Sequence, residues 1–419
     1  MNGITVITKS APLLDYCLSW QQAVYVTVDT EFMREHTYWP KLCLIQVGGP
    51  DESVVIDPLA EGIDLTPFFD LLSDRNVLKV FHAARQDVEL FHHLTGHVPE
   101  PLFDTQLAAM VCGFGESVGY EKLAARLDDA QIDKTLRFTD WARRPLTDRQ
   151  LLYAVADVSH LRPIYDKLSA QLENNGRRSW IDEEMKILTS PATYENAPED
   201  AWKRIKVRNG KPRFLAILRE VASWREMEAQ RRDVPRNRII REEALTEIAA
   251  HAPASVEELA RVRAISQKLA EGDMGRAILK AVEYALSLDK ESYPSQPKQF
   301  EKPLGMAPLM DLLKVLLKMR CEQSGVAQKL VATVGDLERF AAGDETSPLL
   351  SGWRRELFGE LALALKGGRV ALTVSNGQIQ VIPQDAEAAT LTAPAKRPRR
   401  PRRRPRRGNQ KPPDETRAD

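Results

Sequence analysis

Hydrophobic positions follow two rhythms along this chain. Up to about residue 81, short β-branched and apolar runs are bounded by turn residues. Val24–Val28, Leu42–Val47, Val54–Ile56 and Val77–Phe81 each predict a strand. The first three are separated by only 13 and 6 residues, which suits hairpins or a meander. After Phe81 the period lengthens: Val88, Leu90, Phe91 and Leu94 fall at helical spacing, and DTQLAAMVCGF and YEKLAARL read as helices. Thr147, with Gln150 as capping-box partner, opens a long predicted helix over 148 to about 170. Strands first and alternating helices and strands afterwards point to a mixed sheet flanked by helices. A polar, proline-containing stretch at about 188–202 then interrupts the pattern. Residues from about 211 to 290 are helical throughout, as in a small bundle. Pro294 to Pro308 forms a second linker, more helices run to about 366, and RVALTVSNGQIQVI predicts a hairpin turning at Asn376-Gly377. The expected division is an α/β domain at 1–185, a linker at 186–210, helical domains at 211–292 and 307–385 separated by a linker at 293–306, and a low-complexity tail at 386–419 that should be disordered.

Composition narrows this picture. At 419 residues the chain is too long for one ordinary core, and its 43% hydrophobic content is enough for several. No apolar run approaches the roughly 18 residues of a membrane helix. The start, MNGITVITKS, lacks the layout of a secretory signal. The expectation is a cytoplasmic protein without membrane contact. Cys17, Cys43, Cys112 and Cys321 are widely spaced, which indicates neither a zinc site nor a disulfide framework.

The net charge of zero conceals an asymmetry. Residues 394–419 carry 11 basic against 3 acidic side chains, and the rest of the chain 48 against 56. Residues 203–241, which include Arg236 and Arg238, carry 13 basic against 4 acidic. Two basic blocks on an acidic body suggest a polyanionic partner held through its phosphates.

The candidate chemistry starts in VYVTVDTEF, Val24–Phe32. With a period of two, Val24, Val26 and Val28 share one face, and Tyr25, Thr27, Asp29 and Glu31 the other. Carboxylates that close must be protonated, paired or cation-bound, unless the strand frays before Asp29 and both are solvated. FHAARQDVEL places Asp87 near a helix start, where an acid also complements the helix dipole. FDTQLAA places Asp104 where an N-cap is expected. YAVAD places Tyr153 and Asp157 on one helix face, at i and i+4. Asp29, Glu31, Asp87 and Asp157 are hard oxygen donors without His or Cys, a set suited to Mg²⁺ or Mn²⁺. Four carboxylates can hold two such ions about 3.5–4 Å apart, the arrangement used for in-line phosphoryl displacement. A tyrosine with an ordinary pKa near 10 is a poor base at neutral pH, so Tyr153 is assigned to positioning the attacking water.

DTEF, HAARQDVE, DTQLAA and TDWARRPLTDRQLLYAVADV together resemble the three exonuclease motifs of the ribonuclease D family, in the tyrosine-containing subclass of the DEDD exonucleases. The resemblance covers about residues 5–170. It implies an RNase H-like fold and metal-dependent 3′→5′ hydrolysis that releases 5′-mononucleotides. It implies that Asp29, Glu31, Asp87 and Asp157 are metal ligands, that Tyr153 orients the water, and that Asp104 lies outside the ligand set. FLAILREVASWREMEAQRRDVPRNRIIREEALTEIA is similar to an HRDC domain, and about 305–385 to the second, divergent HRDC-like domain of the same family. The fold class expected is therefore an α/β RNase H-like exonuclease domain followed by two helical HRDC-type domains and a disordered Arg/Pro-rich tail.

The expected substrates are tRNA precursors and other structured RNAs with 3′ ends, and the family implies a monomer. The Gly-Lys pair at Gly210-Lys211 is followed by Pro212, so no phosphate-cradling loop, nucleotide cofactor or ATP motor is expected. Phe32 could wedge against a terminal base and His82 could touch RNA, although each also reads as an ordinary core residue. A DNA exonuclease and a non-catalytic RNA-binding protein are the alternatives.

Overall fold

A computed structural model describes residues 4–207, 210–295 and 305–385. The tail at 386–419 and most of the second linker lie outside the described residues. Six strands form one mixed sheet: β1 (Thr5–Ile7), β2 (Tyr25–Met33), β3 (Lys41–Gly48), β4 (Ser53–Ile56), β5 (Leu78–Phe81) and β6 (Leu102–Asp104), in spatial order β1-β4-β3-β2-β5-β6. β2, β3 and β4 pair antiparallel as a meander, while β2–β5, β5–β6 and β1–β4 are parallel. The three-residue strands β1 and β6 were not foreseen: they are too short to show a period and exist because a neighbour supplies their hydrogen bonds.

Helices α1 (Ser10–Trp20), α2 (Thr66–Ser73), α3 (Arg85–Thr95), α4 (Thr105–Val111), α5 (Tyr120–Leu127), α6 (Asp148–Ser159), α7 (Leu161–Asn174) and α8 (Arg178–Leu188) flank the sheet. The capping box at Thr147 and Gln150 is present. The single long helix expected over 148 to about 170 is instead two helices, α6 and α7, meeting at His160. Pro163 explains the break. It has no N–H to donate, and its ring crowds the carbonyl four residues earlier, that of Ser159.

The helical region begins with α9 (Pro212–Arg232), α10 (Arg236–Ile239) and α11 (Glu242–His251). With the helices up to Ser287 it encloses its own apolar cluster around Leu218, Val221, Leu245, Ile248 and Ile278. The helices from Met306 onwards share a continuous core with the sheet domain. Arg177 ties the two together, donating to the Val111 carbonyl at 2.9 Å and the Ser324 carbonyl at 2.6 Å. Trp180 stacks on Trp353 at 4.7 Å. The chain closes in a hairpin, β7 (Val370–Ser375) and β8 (Gln378–Pro383), whose turn residues Asn376 and Gly377 take φ of 51° and 73°, as a two-residue type I′ turn requires. Among the described residues, no helix is long and apolar enough to cross a membrane.

Candidate active site

β2 lies inside the sheet, between β3 and β5, and stays paired well past its acids: Asp29 faces Gln46 and Glu31 faces Leu44. The strand does not fray before Asp29. The register shifts between Glu31 and Phe32, a bulge of the kind that re-aims side chains beside active sites. Val26 and Val28 enter the main core on one face. On the other, the Thr27 hydroxyl donates to the Val158 carbonyl at 2.8 Å and fastens α6 over the acids. Carboxylate oxygens of Asp29, Glu31 and Asp157 consequently all lie within 4.8 Å of one another.

Asp87 arrives from a different direction, in the first turn of α3 just after β5. Its Oδ1 accepts from the Thr30 hydroxyl, and it lines the same pocket as the other three acids. The corner that carries it turns at Ala83, with φ 59°. Asp104 holds that corner: its carboxylate accepts from the Ala83 N–H at 3.1 Å and the Ala84 N–H at 2.9 Å, while also capping α4 through Gln106 N–H at 2.7 Å. The N-cap expected at Asp104 is thus present and fastens two elements at once.

The pocket has a volume of about 400 Å³ and includes Tyr153, Phe32, His82, Arg137 and Phe138 beside the acids. Its electrostatics are dominated by unrelieved negative charge. Burial, then Asp157, Asp87 and Glu31, push the Asp29 carboxyl well above its usual range. Burial, then Asp157 and Asp87, raise Glu31 to about 9, against a lowering pull from Arg137. Asp87 and Asp157 are each raised to about 7, chiefly by burial. The Tyr153 phenol is pushed up by burial and then by Asp157, Glu31 and Asp29, so it stays protonated at neutral pH. Among the described residues, Arg137 is the one Lys or Arg in the lining. The donor set is oxygen only and its charge lacks enough protein cations, which is the condition divalent cations satisfy.

Phe32 and His82 both line this pocket. The His82 Nδ1 sits 3.0 Å from the Thr105 hydroxyl, and burial lowers its pKa, so the ring is held neutral. Arg236 and Arg238 are elsewhere. Arg236 is bound to the buried Glu226 at 2.6 Å and lies over the Tyr38 ring at 4.7 Å, and Arg238 is exposed on α10. Much of the basic block is paired internally: Arg231 and Arg232 meet Glu228, Arg219 meets Glu220, and Lys203 meets Asp200. Sequence reasoning missed Arg137 and Phe138. They lie in a segment without periodicity that offers no sequence signal, and only the fold shows Phe138 to be 90% exposed beside Arg137 at the pocket.

Comparison with known proteins agrees with this geometry. A 3′-5′ exonuclease family matches residues 4–173, and an HRDC domain family matches residues 214–282. The chain is 52% identical over 375 residues to ribonuclease D of Nitrobacter hamburgensis, covering 89% of this chain and 98% of that one. It is 50% identical over 379 residues to ribonuclease D of Gluconacetobacter diazotrophicus, covering 90% and 96%. The crystal structure of Escherichia coli RNase D, an exoribonuclease involved in structured RNA processing, superposes with a TM-score of 0.77 at 31% identity, covering 88% of this chain and 99% of that one. Motif set, fold and near full-length identity agree, and this chain belongs to the ribonuclease D family of 3′→5′ exoribonucleases.

Proposed function

We propose that this exoribonuclease removes single 5′-mononucleotides from RNA 3′ ends, tRNA precursors among them, with Asp29, Glu31, Asp87 and Asp157 holding two divalent cations, Mg²⁺ or Mn²⁺. The observation that carries this is the convergence of three carboxylates within 4.8 Å where β2 runs on paired to β3, with Asp87 on the same pocket. When bound, the cations would neutralise the acids and the phosphate and make a water nucleophilic at neutral pH. The chain's own residues do the rest. Tyr153 remains a phenol and orients the water through its hydroxyl, without taking its proton. Arg137 faces the phosphate's charge from the pocket wall. Phe32 and the exposed ring of Phe138 offer flat surfaces on which any base can stack, and stacking is tolerant of sequence. His82, held neutral, is available as a hydrogen-bonding contact for the terminal nucleotide.

The units proposed are an exonuclease domain at 1–185, an HRDC domain at 211–292 and an HRDC-like domain at 307–385, acting as a monomer. The separate apolar cluster of the first helical region supports its treatment as a unit. A timed digestion of a 3′-extended tRNA precursor in Mg²⁺, beside a matched DNA strand, tests the function. Mononucleotides should leave stepwise from the RNA 3′ end. Internal cuts, 5′ shortening, or equal digestion of DNA would contradict it.

Two further results are expected at this site. Tyr153→Phe should lower kcat about 10²-fold, the scale of a misplaced nucleophile, while KM and metal affinity stay within about twofold. A similar fall from loss of metal binding would contradict a water-positioning role. Stability should also depend on pH in a particular direction. The acids have folded pKa values above their unfolded ones, so they favour folding while protonated. That contribution is complete below about pH 4 and is lost as pH rises through about 7 for Asp87 and Asp157, then about 9 for Glu31. Thermal midpoints in chelator should therefore fall from about pH 6 to pH 9, and saturating Mg²⁺ should remove most of that fall. A midpoint that rises over this range in chelator would contradict the assignment.

A further inference from the structure

A second pocket, of about 340 Å³, lies where the loop after β2 meets the helical region, among Arg34, Tyr38, Arg225, Arg236, Asn237 and Glu242. Arg225 is its unusual member. The residue is only 4% exposed, and its buried Nε meets no acceptor. Among the described residues, no carboxylate forms an ion pair with it. A buried guanidinium without a contact partner is costly and is normally paired or hydrogen-bonded. Two acids act on it through space: Glu242 is exposed in the lining, and Glu226 is already engaged, taking two hydrogen bonds from Arg236, both at 2.6 Å, and one from the Tyr38 hydroxyl. Arg236 therefore shapes the wall, and Arg225 is left facing the cavity with Arg34 and the exposed Asn237 at its rim.

The position of this pocket relative to the acids restricts what it could hold. Arg34 follows Glu31 by three residues, one beyond the end of β2, so it can lie no more than about 10 Å along the chain at a rise of about 3.3 Å per residue. Its ion-pair partner Glu89, at 3.3 Å, lies two residues beyond Asp87 on α3. The pocket thus adjoins the carboxylate site along two of the three elements that supply its acids, β2 and α3.

We propose that this pocket is a phosphate subsite that takes a backbone phosphodiester of the RNA strand a few nucleotides upstream of the bond being cut, with Arg225 as the principal charge, Arg34 as the second and the Asn237 amide as a neutral donor. The inference rests on the reading that an RNA 3′ end enters the carboxylate site. Arg225 is held by packing before any ligand arrives, so little side-chain entropy is lost on contact. A preorganised guanidinium suits phosphate better than a flexible surface lysine.

The test compares an oligoadenylate long enough to reach the pocket with a dinucleotide that is not, in the full chain. Arg225→Gln should weaken metal-free equilibrium binding of the long RNA about tenfold. It should also flatten the slope of log Kd against log salt by about 0.7, the release expected for one single-strand phosphate. In Mg²⁺, the ratio of dinucleotide KM to long-RNA KM should fall about tenfold. Arg34→Gln, a rim variant that leaves the interior packed, should move both readouts the same way by a smaller factor. Glu242→Gln, which removes the acid from the lining, should move them in the opposite sense. An unchanged salt slope in Arg225→Gln and Arg34→Gln, or equal effects on long and short RNA, would overturn the proposal. So would inorganic phosphate altering the dinucleotide rate in the wild type and not in Arg225→Gln, because the pocket would then serve free phosphate. Failure of the wild type to digest either RNA would count against the catalytic reading, while the metal-free binding measurement would still decide the subsite.

Discussion

Asp29→Asn is expected to abolish hydrolysis and, in chelator, to make the protein more stable. Both effects have one origin. Asp29 is the most crowded of the acids, raised by burial and by three neighbouring carboxylates at once. An amide of the same shape removes one charge from that cluster and one anionic oxygen donor from the set proposed to hold the cations. The loss of rate should be at least about 10³-fold, because losing a single neutral hydrogen-bond donor to a transition state already costs about 10²–10³. The gain in stability sets in as pH rises past about 4, where an unfolded aspartate ionises while the buried cluster resists, and it is large by pH 8. Each kcal/mol relieved should raise the thermal midpoint by about 2–4 °C in a unit of this size. Single-turnover digestion and melting in chelator at pH 8 check the two halves separately. Activity within tenfold of wild type would contradict the role of Asp29, and a lowered midpoint would contradict the repulsion.

The second large effect is expected far from the chemistry, at Glu226. This side chain is wholly buried on α9 and joins the helical region to the loop that follows the catalytic strand. Burial alone would raise its pKa, but hydrogen bonds from Arg236 and Tyr38 and the charge of Arg204 at 3.6 Å reverse the shift, so it is held ionised. Glu226→Ala leaves Arg236 and the Tyr38 hydroxyl without their acceptor. Removing one partner of a buried pair typically costs about 3–5 kcal/mol. The Arg236 side chain is 37% exposed and can recover some hydration, so a loss of about 3 kcal/mol is expected. Asp233 caps the Tyr38 and Trp39 N–H groups at 3.0 Å each, so amide exchange at these two positions should accelerate as the contact loosens. A midpoint within about 1 °C of wild type, with exchange unchanged, would show that the domains are held by other contacts.

Glu226 also shows where the sequence was hard to read. Arg236 stood out as part of a basic block, and charge density alone cannot say whether a cation faces RNA or a buried acid ten residues earlier in the chain. Pairing across α9 and α10 decides that, and it is a tertiary fact. The carboxylates were legible for the opposite reason. Asp29 and Glu31 violate the local rule that a paired strand's interior is apolar, and such a violation needs a cause. Tyr153 and Asp157 were legible because helical spacing alone puts them on one face. The Pro163 break is readable in the sequence, because a proline inside a helical pattern ends or kinks the helix. Arg137 and Phe138 were not readable from pattern at all, since the loop that holds them acquires its meaning only when folded over the acids.

Four carboxylates on β2, α3 and α6 are proposed to hold two divalent cations for hydrolysis at an RNA 3′ end. Anomalous diffraction from crystals grown with Mn²⁺ and a 3′-terminal oligonucleotide would show such ions by position and number. Two manganese peaks are expected, bounded by Asp29, Glu31, Asp87 and Asp157, with the RNA 3′ end beside them and the Tyr153 hydroxyl turned toward the terminal phosphate. A single peak, or manganese bound only away from these side chains, would contradict this assignment.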